Sequence, residues 1–231
     1  YYMFGSINNY RSLTFSETTG NYTTVQRNSI EINNLRFRYG IQFYNTFAKK
    51  HDFNLGLIYE NKALVNGKFS QITSGVLTDS ILPDNDFEMP TIYGAGLRYT
   101  YNNKFTLAAD YTLQQWGDAK FFGKTDSLSN RSKLFLGSEY IPDFRGKSYW
   151  QKIHYRAGLN ISNPYYKVGD VNPYNFGITF GIGLPLRNSN TLVNATLEYG
   201  KVGATSMLRE DYFKLTFNAT FNETWFFKRK L

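Results

Sequence analysis

The chain has 231 residues, of which 42% are hydrophobic and 18% aromatic, with no cysteine and a formal charge of +8. This length admits one large all-β domain, and the lack of cysteine excludes disulfide frameworks, thiol catalysis and cysteine-ligated metal sites. The basic residues are scattered, with Lys228-Arg229-Lys230 the longest run, which argues against a nucleic-acid footprint, and no stretch approaches the ~20 apolar residues of a membrane helix.

Ten segments follow a period-two grammar, one face apolar and the other polar. The first, Tyr1 to about Phe15, is aromatic and weakly alternating. Tyr1-Tyr2-Met3-Phe4 reads as strand interior, and no leader is visible, so the chain is expected to be the C-terminal part of a longer one. The second sets Leu35, Phe37, Tyr39, Ile41 and Phe43 against Arg36, Arg38, Gly40 and Gln42. The third sets Phe53, Leu55, Leu57 and Tyr59 against Asn54, Gly56 and Glu60. The fourth alternates Tyr93, Ala95, Leu97, Tyr99 and Tyr101 with Gly94, Gly96, Arg98 and Thr100. The fifth alternates Phe105, Leu107, Ala109, Tyr111 and Leu113 with Thr106, Asp110, Thr112 and Gln114. The sixth, Lys133 to Tyr140, is short and carries Glu139 opposite Leu134, Leu136 and Tyr140.

The seventh sets Ile153, Tyr155, Ala157, Leu159 and Ile161 against His154, Arg156, Gly158 and Asn160. The eighth sets Tyr174, Phe176, Ile178, Phe180, Ile182 and Leu184 against Gly177, Thr179, Gly181 and Gly183. The ninth sets Val193, Ala195, Leu197 and Tyr199 against Asn194, Thr196, Glu198 and Gly200. The tenth sets Phe213, Leu215, Phe217, Ala219 and Phe221 against Lys214, Thr216, Asn218 and Thr220, then runs into Trp225, Phe226, Phe227 and the basic tail.

Short turns (Lys49 to Asp52, Asn102 to Lys104, Arg187 to Asn190, and a longer one around Pro142 to Gly146) alternate with long polar connections: about 16–29, 66–88, 117–130, 163–172 and 201–210. This is the layout of an antiparallel outer-membrane β-barrel, ten strands visible and more expected before Tyr1, as a single domain over 1–231. In that layout the short turns and the C-terminus are periplasmic and the long loops extracellular.

A sandwich or a lipocalin-like barrel also alternates. The aromatics decide between them: Tyr99, Tyr101, Tyr174, Phe176, Tyr199, Trp225, Phe226 and Phe227 sit at the ends of apolar faces, as residues that favour a lipid–water boundary do. The opposite face mixes glycine with isolated charges. Arg36, Arg38, Arg98, Asp110, Glu139, His154, Arg156 and Glu198 are expected to form a polar network in a barrel lumen, where buried charges need partners.

Lys104 to Tyr111 running into Gln115-Trp116, Leu136-Gly137-Ser138-Glu139-Tyr140, and Tyr155-Arg156-Ala157-Gly158-Leu159 resemble strand patterns of the FadL-like outer-membrane family of long-chain fatty-acid and hydrocarbon channels, C-terminal part. The resemblance covers about Tyr93 to Leu186. It implies additional strands, an N-terminal plug, a lateral opening and hydrophobic small molecules as cargo. The polar inner faces, with little apolar lining beyond Ile58 and Phe135, weigh against a greasy conduit here. The alternative is a non-transporting accessory subunit of a larger outer-membrane complex such as the BAM assembly machinery.

Gly94-Ala-Gly96 and Gly181-Ile-Gly183 precede no helix and are read as inward glycines, not phosphate cradles. His51 and His154 lack matched carboxylates at ligand spacing. No Ser/His nucleophile constellation assembles, so neither enzyme activity nor a cofactor or metal is expected. The expected partners are membrane lipids and lipopolysaccharide, hydrophobic small molecules or other outer-membrane proteins. Arg27, Lys68, Lys124, Lys167 and Arg209, placed on loops, are candidates for lipopolysaccharide phosphates, and equally ordinary solvated charges.

Overall fold

A computed structural model describes residues 1–17, 20–65, 67–73, 76–78, 87–120, 125, 128–167, 173–186, 191–204 and 209–221. In chain order the strands are β1 (Tyr2–Glu17), β2 (Gly20–Leu35), β3 (Arg38–Phe47), β4 (His51–Glu60), β5 (Ala63–Leu64), β6 (Gly67–Thr73), β7 (Val76–Thr78), β8 (Glu88–Met89), β9 (Ile92–Tyr101), β10 (Phe105–Gln114), β11 (Arg131–Tyr140), β12 (His154–Ser162), β13 (Tyr174–Pro185), β14 (Leu192–Gly203) and β15 (Arg209–Thr220). The chain clusters into two units. The first holds Tyr1–Tyr39, Tyr59–Ile92 and Gln114–Asn130; the second holds Gly40–Ile58, Tyr93–Leu113 and Arg131–Leu231.

In the first unit β1 and β2 pair antiparallel along their whole length, from Tyr2↔Leu35 to Glu17↔Gly20, and β6 and β7 extend that sheet in the order β1-β2-β6-β7. The short pair β5–β8, which flanks β6 and β7 in sequence, forms a separate two-stranded sheet, held by Ala63↔Met89 and by the Val65 N–H donating to the Phe87 carbonyl at 2.9 Å. Val65, Pro90, Ala119 and Leu128 are buried here in the ordinary way, apolar atoms away from water.

The second unit is dominated by a nine-stranded antiparallel sheet in the order β15-β14-β13-β12-β11-β10-β9-β4-β3. Its registers place five rows of residues on one face across β12 to β15. Leu184–Val193–Ala219 and Tyr155–Ile182–Ala195–Phe217 are followed by Ala157–Phe180–Leu197–Leu215. Beyond these come Leu159–Ile178–Tyr199–Phe213 and finally Ile161–Phe176–Lys201–Asp211. This apolar face is the exposed one: Phe180 is 63% exposed, Leu215 62% and Phe217 69%. On the opposite face Gly177, Gly183, Gly200 and Asn194 are buried. The burial of a water-soluble sheet is thus inverted, and the uncovered apolar face is contiguous across the strands.

All ten alternating segments are strands, and nine of them are the nine neighbours of the large sheet. The sequence reading missed β2 and β5 to β8, which fall in stretches expected to be loops or unstructured. Strand β2 is largely polar, so its pairing with β1 gives it a place in the sheet that no sustained apolar period announces. The expected strand beginning at Leu35 breaks instead at Arg36-Phe37. Arg36 is tied to Tyr1, whose amine donates to the Arg36 carbonyl at 2.7 Å while the Arg36 N–H donates to the Tyr1 carbonyl at 2.9 Å. The loop placements of basic residues are corrected as well: Arg27 lies in β2, Lys68 in β6, and Arg209 opens β15, while Lys167 stands in a connection and Lys124 lies outside the described residues. Among the described residues no pairing closes the sheet into the barrel expected from the sequence; it ends on β3 and β15.

Candidate functional site

The polar face of the large sheet carries a connected side-chain network. Register opposes Glu139 to Arg156, and carries the row His154–Gly183–Asn194–Asn218 alongside. The Arg156 Nε donates to Glu139 Oε2 at 2.6 Å, and His154 Nδ1 lies 3.1 Å from the same oxygen. The other end of the guanidinium donates to Asn194 Oδ1 at 2.6 Å, and Asn194 donates onward to Asn218 Oδ1 at 2.7 Å. The network therefore runs over β11, β12, β14 and β15, and β13 contributes only glycine beneath it. A second cluster joins Asn160, Glu198 and Tyr212: the Tyr212 hydroxyl donates to Glu198 Oε1 at 2.9 Å, and Asn160 donates to it at 3.3 Å.

Glycine on this face has a specific use. A Cβ on Gly200 would overlap the Tyr212 ring, one on Gly177 would meet the Asn160 amide at 2.6 Å, and one on Gly96 would run into the Asp110 carboxylate. Each of these side chains lies flat across a neighbouring strand, in space that only glycine leaves open. Around Gly40 and Gly56 the floor stays bare, and with Gly94 and Gly96 it forms a cavity of about 400 Å³, walled by Gln42, Ile58, Asp110 and Thr112.

The sequence-derived candidates are thus divided. Glu139, His154 and Arg156 come together, and Glu198 joins the neighbouring cluster. Arg98 and Asp110 do not pair: neither is in an ion pair among the described residues. Arg36 and Arg38 belong to the first unit, where both converge on Glu60, which the sequence reading left out. Glu60 is fully buried. Arg36 Nε stands 3.0 Å from Oε2, an ionic approach too poorly aligned for a hydrogen bond, while Arg38 Nε donates to Oε1 and the Tyr1 hydroxyl to Oε2 at 2.9 Å. Arg36 also donates to the Pro90 carbonyl at 2.5 Å. The signal for Glu60 was its place on the same period as Asn54 and Gly56, one position past an otherwise small polar face.

Nearby in this unit, Lys62 Nζ stands 2.7 Å from Glu88 Oε2, and the Lys120 N–H donates to the same oxygen at 2.8 Å. Burial pushes the Glu88 carboxyl up, but these two donors outweigh it and hold the group below its ordinary value.

Of the boundary aromatics, Tyr99 and Tyr101 cluster with His51 and Phe53 at the short-turn end of the sheet. The His51 and Tyr101 rings are 5.0 Å apart, those of Phe53 and Tyr99 4.8 Å, and His51 Nδ1 is 2.8 Å from the Tyr99 hydroxyl. Tyr174, Phe176 and Tyr199 lie toward the other end, with Tyr199 4.9 Å from Phe213. Tyr212, next to Phe213 in sequence, sits on the polar face. Trp225, Phe226 and Phe227 lie outside the described residues. Among the described residues no three His, Asp or Glu side chains gather to hold a metal.

An exposed apolar face and a hydrogen-bonded, glycine-floored reverse define a class: an all-β protein built as an antiparallel sheet with its polarity turned inside out. The BamG family model matches residues 1–231, and the chain belongs to the BamG family, which is associated with the BAM outer-membrane assembly machinery. No curated protein and no solved structure matches the chain. The FadL-like reading is overturned by this match. The stretches that carried it, such as Leu136 to Tyr140, are alternating patterns imposed by any sheet with one apolar and one polar face, so they separate folds and not families.

Proposed function

We propose that this chain is a membrane-embedded accessory subunit of the outer-membrane assembly machinery, a structural component and not a conduit or an enzyme. The observation that carries the reading is the inverted burial of the large sheet. Apolar side chains left in water cost about 25 cal/mol per Å², and a face of this extent is not tolerated by a soluble monomer. From Leu184 to Phe176 the band rises about 27 Å along β13 at ~3.4 Å per residue, or about 20 Å along the membrane normal at a tilt near 40°, close to the ~25 Å apolar band of an outer-membrane barrel. It ends where Lys201 and Asp211 return charge to the same face. Hydrogen bonding within the sheet satisfies the backbone of its inner strands, which lipid would leave unsatisfied, and in this reading the outer edges of β3 and β15 are paired or covered by further protein in the membrane.

The polar face supports a scaffold over a channel. Part of its charge is engaged within the face, as in Glu139–Arg156, and its cavity is small and floored by backbone. In this reading the short turns of the large sheet face the periplasm.

The test is mild extraction of the full-length protein from its native outer membrane, followed by native mass spectrometry. A stoichiometric complex with other envelope proteins is expected. A monomer carrying a bound hydrophobic small molecule would overturn the accessory role.

A further inference from the structure

We infer that the short-turn rim of the large sheet is a binding site for the phosphates of anionic glycerophospholipid headgroups. This rests on the membrane-embedded reading above and goes beyond it by naming a ligand class and the residues that take it.

Three connections meet at this rim. Ala48 and Lys49 both adopt left-handed backbone, as do Asn102 and Asn103, which makes two tight turns. The Asn102 N–H donates to the Lys50 carbonyl at 2.6 Å, and the Ile141 N–H donates to the Lys104 carbonyl at 2.7 Å, so the turns and the β11–β12 connection are stitched side by side. They bring Lys49, Lys50, Lys104, Arg145, Lys147 and Lys152 to one edge, all exposed, and none in an ion pair among the described residues. The carboxylates in these turns are engaged locally: Asp52 accepts from the Thr46 hydroxyl at 2.7 Å, and Asp143 from the Arg145 N–H at 3.1 Å.

The β11–β12 connection is built to display side chains. The Asp143 N–H donates to the Gln151 carbonyl at 2.8 Å, and the Ser148 N–H to Gln151 Oε1 at 3.1 Å, around a turn of 3-10 helix at Tyr149–Lys152. This ordered frame leaves Phe144 65% and Trp150 71% exposed. Directly below, the exposed apolar face begins with the Tyr140–Tyr155 pair. Free cationic groups above large exposed aromatics, continuous with an apolar face, are the chemistry of a headgroup layer: phosphate for the cations, the glycerol region for the rings.

The experiment places the full-length protein in nanodiscs of phosphatidylcholine with a minority of phosphatidylglycerol and releases it in a native mass spectrometer. The wild type is expected to retain phosphatidylglycerol in preference to phosphatidylcholine. A Lys49→Gln/Lys50→Gln/Lys104→Gln variant is expected to lose that preference by about tenfold or more, because each basic residue near an anionic surface adds to the attraction. Heat-modifiable gel migration checks that the variant is folded, and Trp150→Ala, made separately, is expected to weaken retention without changing charge.

Equal retention of both lipids by the wild type overturns the site, as does an undiminished preference in the folded lysine variant. A preference for lipid A phosphates over phosphatidylglycerol, in a parallel lipid A disc, assigns the rim to the other leaflet and overturns the glycerophospholipid source. Variants that keep the lipid but lose co-purifying envelope proteins make the rim a protein-docking surface instead. Failure of the wild type to enter discs overturns the membrane reading itself; entry without headgroup preference overturns this proposal alone.

Discussion

The two units handle charge in opposite ways. In the first, Glu60 is removed entirely from water, and two arginines and a tyrosine hydroxyl are committed to it. In the second, Glu139 and Arg156 meet on a half-exposed sheet face with an amide relay behind them. Burial deepens both the attraction and the penalty for a lost partner, so the first arrangement is the brittle one and the second can lose a member and rehydrate. Apolar groups show the converse: Val65 and Ala119 of the first unit are covered, while Phe180 and Leu215 of the second are bare. Within one chain, Val65 and Ala119 are thus packed as in a water-soluble core, while the large sheet leaves a continuous apolar face uncovered.

The contrast breaks most sharply at Glu60. Glu60→Ala leaves the buried Arg36 guanidinium without its counter-charge and is expected to cost about 3–5 kcal/mol, while Glu139→Ala costs clearly less. Denaturant unfolding of the two variants, compared with wild type, measures this; equal losses would erase the distinction. Next comes the bare face. Leu197→Arg, in the middle row of the apolar band, is expected to cost about 2–4 kcal/mol in bilayers, read as a shifted unfolding midpoint in vesicles. A neutral result would return that face to water.

Smaller is Gly200→Ala, whose added methyl displaces the Tyr212 ring and its bond to Glu198, for about 1–2 kcal/mol. Gly200→Ala combined with Tyr212→Ala should recover most of the loss, and a double-variant cycle reads the coupling. Smallest is the Glu88 carboxylate. Its folded value is depressed, so its contribution is fully present above the ordinary value of 4.5 and is lost as pH falls through the folded value. Lys62→Gln is expected to flatten that acid limb and to lower stability at neutral pH by about 0.5 kcal/mol, because the lysine is substantially exposed.

The nine-stranded sheet was legible because a strand with one apolar face repeats its apolar residues at every second position, as Phe213, Leu215 and Phe217 do. Strand β2 was not, because Asn28, Asn33 and Asn34 leave its sequence without a sustained apolar period, although its partner β1 was recognised. The network at Glu139, His154 and Arg156 followed from charges sharing one face. Arg98 and Asp110 share it as well, yet alternation gives the face of a residue and not its neighbour on the next strand. Glu60 escaped because its importance comes from residues distant in sequence, Tyr1, Arg36 and Arg38, that no local pattern joins to it. Ala48 and Lys49 carried no hint of left-handed backbone, whereas Asn102-Asn103 did.

The roofed glycines carry a further consequence, for how the strands find one another. Sliding β15 along β14 by two residues preserves every apolar-out, polar-in assignment, so hydrophobicity alone does not forbid it. That slip would move the Tyr212 ring off Gly200 and onto a position bearing a side chain, Glu198 in one direction or Val202 in the other. The same holds for Asn160 over Gly177 between β12 and β13. Each glycine and its covering side chain act as a key and its notch. They count residues along the strand where the alternating pattern only tells odd from even.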